Sequence, residues 1–381
     1  QILIQNYDKC TETGMWFKRM PLEEWFDKYQ YEVKFDIGES AVKFHNFKDL
    51  DLDLDKVELR YGYHLGRPDL REKISEQYNG LNSNNILVTS AGSESIFSIN
   101  SLLVKPGDHV IIEHPTYPSL YEVPRSLGCE VSLLSLKFEN DFQPDIDELK
   151  SLIKPNTKLI NFTHPNNPTG SMISKDSLEQ IIEIAESNDI YFLFDETYRD
   201  LSYGEKLPAA AELSPKAISI SSMSKCYGLP GIRIGWLASK SKEIVDGVLA
   251  VREQITITNS AMGEEIALRT LEQKDHHIKN AIDHVNKNFN IVCNWIKERN
   301  ELEWIKPEAG VVSLPHLKTG ILDDPEILYR TLVEKYKTFV IPGRCFELDN
   351  SYFRLGYGGT TEELKAGLEN FRNALDEVKN S

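Results

Sequence analysis

The chain has 381 residues, long for a single core, so one large domain with a smaller companion is expected. Acidic residues outnumber Lys and Arg by 59 to 43, a formal charge of -16 with no basic block. That argues against nucleic acid or anionic membrane partners but leaves room for a small anion in a local positive site. Cys10, Cys129, Cys226, Cys293 and Cys345 lack paired spacing, and no Cys/His cluster resembles a metal site. No apolar run approaches a membrane span and the start lacks the order of a secretory signal, so a soluble, cytoplasmic protein is expected.

The first forty residues read as an arm followed by an entry loop. Trp16, Phe17, Trp25, Phe26, Tyr29 and Tyr31 are dense for a free tail, which predicts packing on the chain's own small domain or on a partner subunit. FDIGES (35–40) reads as a short strand ending at Gly38. DLDLDLDKVE (49–58) has a strand's alternation, but its aspartates favour a solvated surface segment. A helix is predicted over 69–80, a strand over 86–90 (ILVTS), and a second helix over ESIFSINSLLV. Between these last two, Ala91-Gly92-Ser93 forms a turn whose backbone N–H groups suit an anion, although it is also an ordinary strand-to-helix connection.

Short apolar strands then recur: HVIIE (109–113), CEVSLLSL (129–136), TKLINF (157–162), IYFLF (190–194), AISIS (217–221) and IRIGWLA (232–238). Helices or loops separate most of them, which predicts an α/β fold: a three-layer α/β/α domain around a mostly parallel seven-stranded sheet, with ligands at the strands' carboxyl ends. After Lys240 the pattern turns helical, with a run over 261–300 broken near 273–275. An α+β rhythm follows, with strands at 311–315, 338–343 and 352–358 and helices at 324–336 and 361–377. The expected division is 1–45 as arm and part of the small domain, 46–275 as the large domain, and 276–381 as the small C-terminal domain.

One window carries chemistry. SSMSKCYGLPGIRIG (221–235) puts Lys225 among small hydroxyl residues at a strand's mouth, with Arg233 eight residues on. A lysine so placed can be kept neutral enough to attack a carbonyl, and the hydroxyls and arginine suit a dianionic phosphate. The residue types point to a lysine-bound cofactor aldehyde, while a polar surface loop has the same composition.

The motifs come in a fixed order: Tyr61 with GRPDLRE, Gly92-Ser93, PTYPS, HPNNPTG, DETY, SMSK followed by GIRIG, and FRLGY. With this ordered set, from about Gly38 to Arg354, the chain resembles the fold type I aminotransferases of class I/II, which use pyridoxal 5'-phosphate (PLP). The resemblance implies that Lys225 joins the cofactor aldehyde as an imine and later moves the proton between Cα and C4'. It implies Asp195, rather than Glu196, as partner of the pyridine nitrogen, making the ring a better electron sink. Tyr198 and Asn167 would bond the ring's phenolic oxygen, and Tyr117 would stack on the ring. Gly92, Ser93, Ser222, Ser224 and Arg233 would hold the phosphate. Arg354 would grip the substrate's α-carboxylate, with Gly38 and Asn167 beside it. Tyr61 would reach the phosphate of a neighbouring protomer, implying a homodimer with shared active sites. No metal is implied.

The departures bear on substrate. After Gly38 many relatives have Glu-Pro where this chain has Glu39-Ser40-Ala41, so a different path of the substrate-side loop is expected. His64 either faces the pocket or is an idle loop histidine. EAGVVSLPHL (308–317) has small aliphatics where relatives often carry aromatics, and Met15-Trp16 belongs to an unusual N-terminus. Arg19, Arg125 and Arg252 are available to read a side-chain carboxylate, yet nothing selects one. Glu12, Glu23, Glu24 and Glu39 read first as solvated glutamates; lining the pocket, they would suit a cation such as a guanidinium.

Three activities remain open. The leading one is an aminotransferase passing the α-amino group of an L-amino acid to a 2-oxo acid. The alternative is a lyase or cyclase working by β- or γ-elimination or replacement on a guanidino or hydroxylated amino acid in specialised amino-acid biosynthesis. A non-catalytic PLP-fold binding protein comes last, because Lys225, Asp195 and Arg354 are all intact.

Overall fold

A computed structural model describes residues 17–380. The expectations for Cys10, Glu12, Met15 and Trp16 lie outside those residues. At the centre is a sheet of seven strands: β1 (Ile86–Thr89), β2 (His109–His114), β3 (Glu130–Ser135), β4 (Thr157–Thr163), β5 (Tyr191–Asp195), β6 (Ala217–Ser222) and β7 (Gly235–Ala238). Their spatial order is β1-β7-β6-β5-β4-β2-β3. Only β7 runs antiparallel, against both β1 and β6, as a mostly parallel sheet requires.

The period of two along each strand builds the layers. Val110, Ile112 and Leu193 join a core with Ile96, Ile99, Ile244 and Val248 of the helices on one face. Ile111, Phe192 and Phe194 join Leu178, Ile181 and Ile182 on the other. Both faces are covered, so the strands are mostly apolar; the interior polar residues Asn161 and Ser219 are fully buried and hydrogen-bonded, Asn161 Nδ2 to Leu120 O and Ser219 Oγ to Glu196.

The carboxyl edge is set by register. Thr163 at the end of β4 lies opposite Asp195 at the end of β5, and Asp195 opposite Ile220 of β6. β1 enters the helix Ala91–Leu103 through Ala91, which takes a left-handed φ of 69°. A Cβ on Gly235 would lie 2.7 Å from the Ala91 carbonyl carbon and 2.8 Å from the Ser221 oxygen. Only glycine lets β7 close against both. The strand expected over 232–238 is therefore shorter: Pro230–Ile232 forms a 3-10 turn, and Arg233, at a φ of 53°, sits in the turn ahead of β7.

Both ends of the chain build the second body. Phe35–Asp36 pairs in parallel with Thr338–Phe339. Phe353–Gly356 lies between Val312–Ser313 and Ile341–Pro342, antiparallel to each. Leu332, Phe339, Phe353, Leu368 and Phe371 pack there with no more than 2% exposure. A Cβ on Gly356 would sit 2.0 Å from the Glu39 carbonyl oxygen, so glycine is what lets the 37–41 loop lie on this strand.

Two elements differ from the sequence reading, while the Asp-Leu repeat is the solvated surface segment its aspartates favoured. Within the expected arm, Pro21–Tyr29 is a helix with proline at its start, Glu23 and Glu24 in its first turn and Lys28 in its last. It buries Leu22 and Trp25, and Trp25 Nε1 donates to Val340 O at 2.9 Å; Trp25, Phe26 and Tyr29 thus pack on the chain's own second body, whereas Phe17 and Tyr31 are exposed. The helix expected over 69–80 ends at Ser75, and the chain turns away to bury Tyr78, whose hydroxyl accepts from Trp236 Nε1. The Asp-Leu repeat forms two 3-10 turns, Phe47–Asp49 and Leu54–Lys56, with its aspartates exposed. Among the described residues no helix is long and apolar enough to cross a membrane.

Candidate active site

A cavity of about 400 Å³ opens at the carboxyl edge of the sheet, under the second body. The β1 turn contributes Gly92 and Ser93, and the segment after β2 contributes Tyr117. Asn167 comes from the loop after β4, Asp195 and Tyr198 from the end of β5, and Ser222, Ser224 and Lys225 from the end of β6. Arg233 enters from the turn before β7 and Arg354 from the second body. Sheet register and helix packing thus bring these residues, spread over more than 260 positions, to one place.

Asp195 is 8% exposed, and its Oδ1 accepts from Thr197 N at 3.0 Å and Thr197 Oγ1 at 2.6 Å. Burial raises its carboxyl pKa, against the pull of those two bonds. Glu196 points elsewhere: its Oε1 accepts from Ala210 N at 2.7 Å and Ser219 Oγ at 2.8 Å, and burial pushes its carboxyl up to about 7. Lys225 Nζ donates to Ser40 Oγ at 2.9 Å and lies 3.4 Å from Glu39 Oε1.

Arg354 is 1% exposed. Its Nε and Nη2 donate to Gly38 O at 3.1 and 2.8 Å, and its Nη1 to Asn167 Oδ1 at 3.0 Å. With that oxygen committed, the Asn167 amide nitrogen remains as a donor. The Tyr198 hydroxyl donates to Ser40 O at 2.7 Å, and burial holds its pKa high. Tyr117 is pushed up to about 12, by burial first and then by the nearby Glu23 charge, against a bond to Ser93. Arg233 Nη1 donates to Pro230 O at 3.0 Å.

Other candidates lie elsewhere. Tyr61 is 80% exposed and does not line its own chain's cavity. His64 faces away from it, with Nδ1 2.9 Å from Glu253 Oε1. Arg125 is held by Glu122 and Glu347 at 3.0 and 2.7 Å, and Arg252 donates to His64 O and Asn259 Oδ1, both at 2.6 Å. Arg19 pairs with Asp27. The solvated reading of the glutamates holds for Glu24, which is exposed, but not for Glu23 and Glu39, which line the cavity because the Pro21–Tyr29 helix and the 37–41 loop form its wall. Sequence reading passed over Thr197, which orients Asp195, and Ser40, which touches Lys225; the Thr inside DETY and the missing proline after Glu39 are the only local signals.

The family model described as aminotransferase class I and II matches residues 33–371. The chain belongs to this family. Among curated relatives, capreomycidine synthase of Streptomyces vinaceus is 26% identical over 361 residues, 91% of each chain. An aspartate aminotransferase of Pyrococcus horikoshii is 28% identical over 386 residues, 97% of each. The structure of a PLP-dependent aminotransferase from Streptococcus suis matches with a TM-score of 0.90 and 30% identity, over 95% of this chain and 98% of that one. The PLP-dependent cyclase OrfR matches with a TM-score of 0.87 and 28% identity, over 94% and 97%.

The protein is thus a PLP-dependent enzyme of fold type I, and aminotransferase activity is the function this family supports. The cavity's chemistry fits that cofactor. It presents one amine for an aldehyde, hydroxyls, a helix N-terminus and an arginine for a phosphate, and a buried carboxylate for a ring nitrogen, in a volume suited to a small ligand.

Proposed function

We propose that this family member transfers the α-amino group of an L-amino acid to a 2-oxo acid, with the residues of the cavity in the following roles. Lys225 would hold the cofactor aldehyde through Nζ, and its amine would serve as the base for the Cα proton. Arg354 binds the α-carboxylate in two parallel bonds beside Gly38 and Asn167, fixing which Cα bond is weakened. Asp195, held by Thr197, would pair with the ring nitrogen; the Asn167 amide nitrogen and the Tyr198 hydroxyl, on leaving Ser40 O, would bond the ring oxygen; Tyr117 would stack on the ring. Gly92, Ser93, Ser222, Ser224 and Arg233 take the phosphate. The bound cofactor supplies the electron sink that makes Cα acidic.

The observation that carries this reading is the convergence of Lys225, Asp195 and Arg354 on one cavity. Borohydride reduction of the protein supplied with PLP should fix a pyridoxyl group on Lys225. Failure to do so would remove the roles proposed for the whole set.

A second reading is favoured by two of the similar proteins, a capreomycidine synthase and a PLP-dependent cyclase. In it the same lysine and carboxylate act first, and a bond beyond Cα then breaks or a ring closes, on a guanidino or hydroxylated amino acid. Adding single amino acids without any oxo acid separates the two. One stoichiometric conversion to the amine form of the cofactor indicates transamination, whereas continued release of ammonia, water or a cyclic product indicates the second reading.

The proposed assembly is a homodimer in which Tyr61 completes the neighbour's phosphate site. Leu59, Tyr61 and Tyr63, on one short segment, are 79%, 80% and 62% exposed, apolar surface that suits a subunit contact. Light scattering should give twice the chain mass, and a monomeric mass would end this proposal. The proposed division at 45 and 275 is supported at its first boundary by the pairing of Phe35–Asp36 with Thr338–Phe339, and its second falls at the start of the helix Lys274–Lys297. A cytoplasmic site accords with the free state of all four described cysteines.

A further inference from the structure

The charges lining the cavity do not balance once each proposed partner is assigned. Arg233 is matched by the phosphate, Arg354 by the α-carboxylate, Asp195 by the ring nitrogen and Lys225 by the aldehyde. Glu39 is left over. Its side chain is 20% exposed, and its Oε1 accepts from Ser40 N at 2.7 Å. Its cationic neighbours are Lys225, 3.4 Å away, and Arg354. Burial pushes the Glu39 carboxyl up, yet these two charges outweigh it and hold the group below the usual carboxylate range.

With cofactor and substrate in place, neither neighbour serves as a counter-charge: Arg354 would be on the α-carboxylate, and Lys225, joined to the aldehyde or displaced from it, would have to be neutral to take the Cα proton. A largely buried carboxylate stripped of its counter-charges is costly unless something positive replaces them. The loop cannot swing Glu39 out to water without breaking its supports. Gly356 N donates to Ile37 O at 2.8 Å, Val42 N donates to Lys225 O at 3.1 Å, and Asp36 Oδ1 accepts from both Gly38 N and Glu39 N at 2.9 Å. Among the described residues lining the cavity, the cations are Lys225, Arg233 and Arg354, each already assigned, while Arg125, Arg252 and Arg19 are held in other pairs. The other carboxylate near the ring position is Glu23, which raises the Tyr117 pKa. A dicarboxylic substrate would therefore bring its second carboxylate towards negative charge.

We propose that Glu39 is a specificity-determining residue that pairs with a cation on the substrate side chain, so that the substrate is an α-amino acid ending in a guanidinium or ammonium group. This rests on the PLP reading above, because it is that reading which removes Lys225 and Arg354 from Glu39.

The test is equilibrium binding to the holoenzyme, read by calorimetry and by the shift of the cofactor's visible band. Arginine is compared with citrulline, its neutral isostere, and lysine with norleucine. At least one cationic member should bind about tenfold or more tightly than its neutral counterpart, the factor expected of a partly buried charge pair. In Glu39→Gln that preference should vanish while the neutral amino acids keep their affinity within about threefold. Equal binding of charged and neutral members by the wild type would overturn the proposal without any variant. An equal loss of both in Glu39→Gln would also overturn it, assigning Glu39 to the positioning of Lys225. Borohydride fixation of the pyridoxyl group on Lys225, checked in the same samples, separates the two levels. If fixation is absent, the PLP reading fails; if it is present without charge preference, only the inference about Glu39 fails.

Discussion

The floor and the wall of the cavity are built in different ways. The floor consists of strand ends whose positions follow from the register of β4, β5 and β6, each fixed by its neighbour's hydrogen bonds. The wall consists of the Pro21–Tyr29 helix, the 37–41 loop and the Phe353–Gly356 strand, segments more than 300 residues apart in the chain that meet through contacts such as Arg354 to Gly38 O. A floor set by sheet register suits chemistry shared by every substrate, whereas a wall assembled from loose segments can change without disturbing that chemistry.

Breaking the floor should have the largest effect. Lys225→Ala removes the residue proposed as both covalent anchor and mobile base, so turnover should fall by about 10⁴-fold or more and the cofactor's visible band should be lost. Retained turnover would sink the assignment. Arg354→Lys tests the hinge between the two regions. A point charge replaces a two-pronged donor that now holds Gly38 O and Asn167 Oδ1, so kcat/KM should fall by about 100-fold, chiefly through KM, with the visible band intact. A change confined to kcat would contradict carboxylate binding by this residue.

Gly356→Ala tests the wall alone. Its new Cβ would meet the Glu39 carbonyl oxygen, and relief requires the loop to move off the strand. A destabilisation of about 2–3 kcal/mol is expected, together with weaker amino-acid binding, while PLP still reacts at Lys225. Loss of cofactor binding in this variant would show that wall and floor are not separable.

The same contrast explains what the sequence made legible. Each floor motif is local: a short strand run followed within a few residues by its polar group, at once in IYFLF-Asp195 and four residues on in AISIS and Lys225. The wall is not local. Nothing near Glu39 in the sequence announces that a glycine 317 positions later will let its loop lie against a strand and draw the carboxylate into the cavity. The Pro21–Tyr29 helix does carry its own signals, Pro21 followed by Glu23 and Glu24 with Lys28 near its end, but the surrounding aromatics read as an arm. His64 shows the reverse: close to a motif in sequence, it turns outward to Glu253.

The smallest expected effect separates two adjacent carboxylates, one facing the cavity and one serving the fold. Glu196 is buried away from the cavity, with Oε2 lacking a partner, and burial raises its pKa from the ordinary 4.5 to about 7. The folded state therefore binds this proton more tightly than the unfolded state does. The stabilisation linked to it is fully present below about pH 4.5 and is lost as pH rises through about 7. Glu196→Gln keeps an acceptor for Ala210 N and Ser219 Oγ but cannot ionise. Its melting temperature should exceed that of the wild type by a few degrees at pH 8, reflecting at most about 3 kcal/mol. That advantage should shrink steadily as pH is lowered to about 4.5. A difference that does not vary with pH would mean that Glu196 stays ionised in the fold, and that burial alone does not distinguish it from a solvated carboxylate.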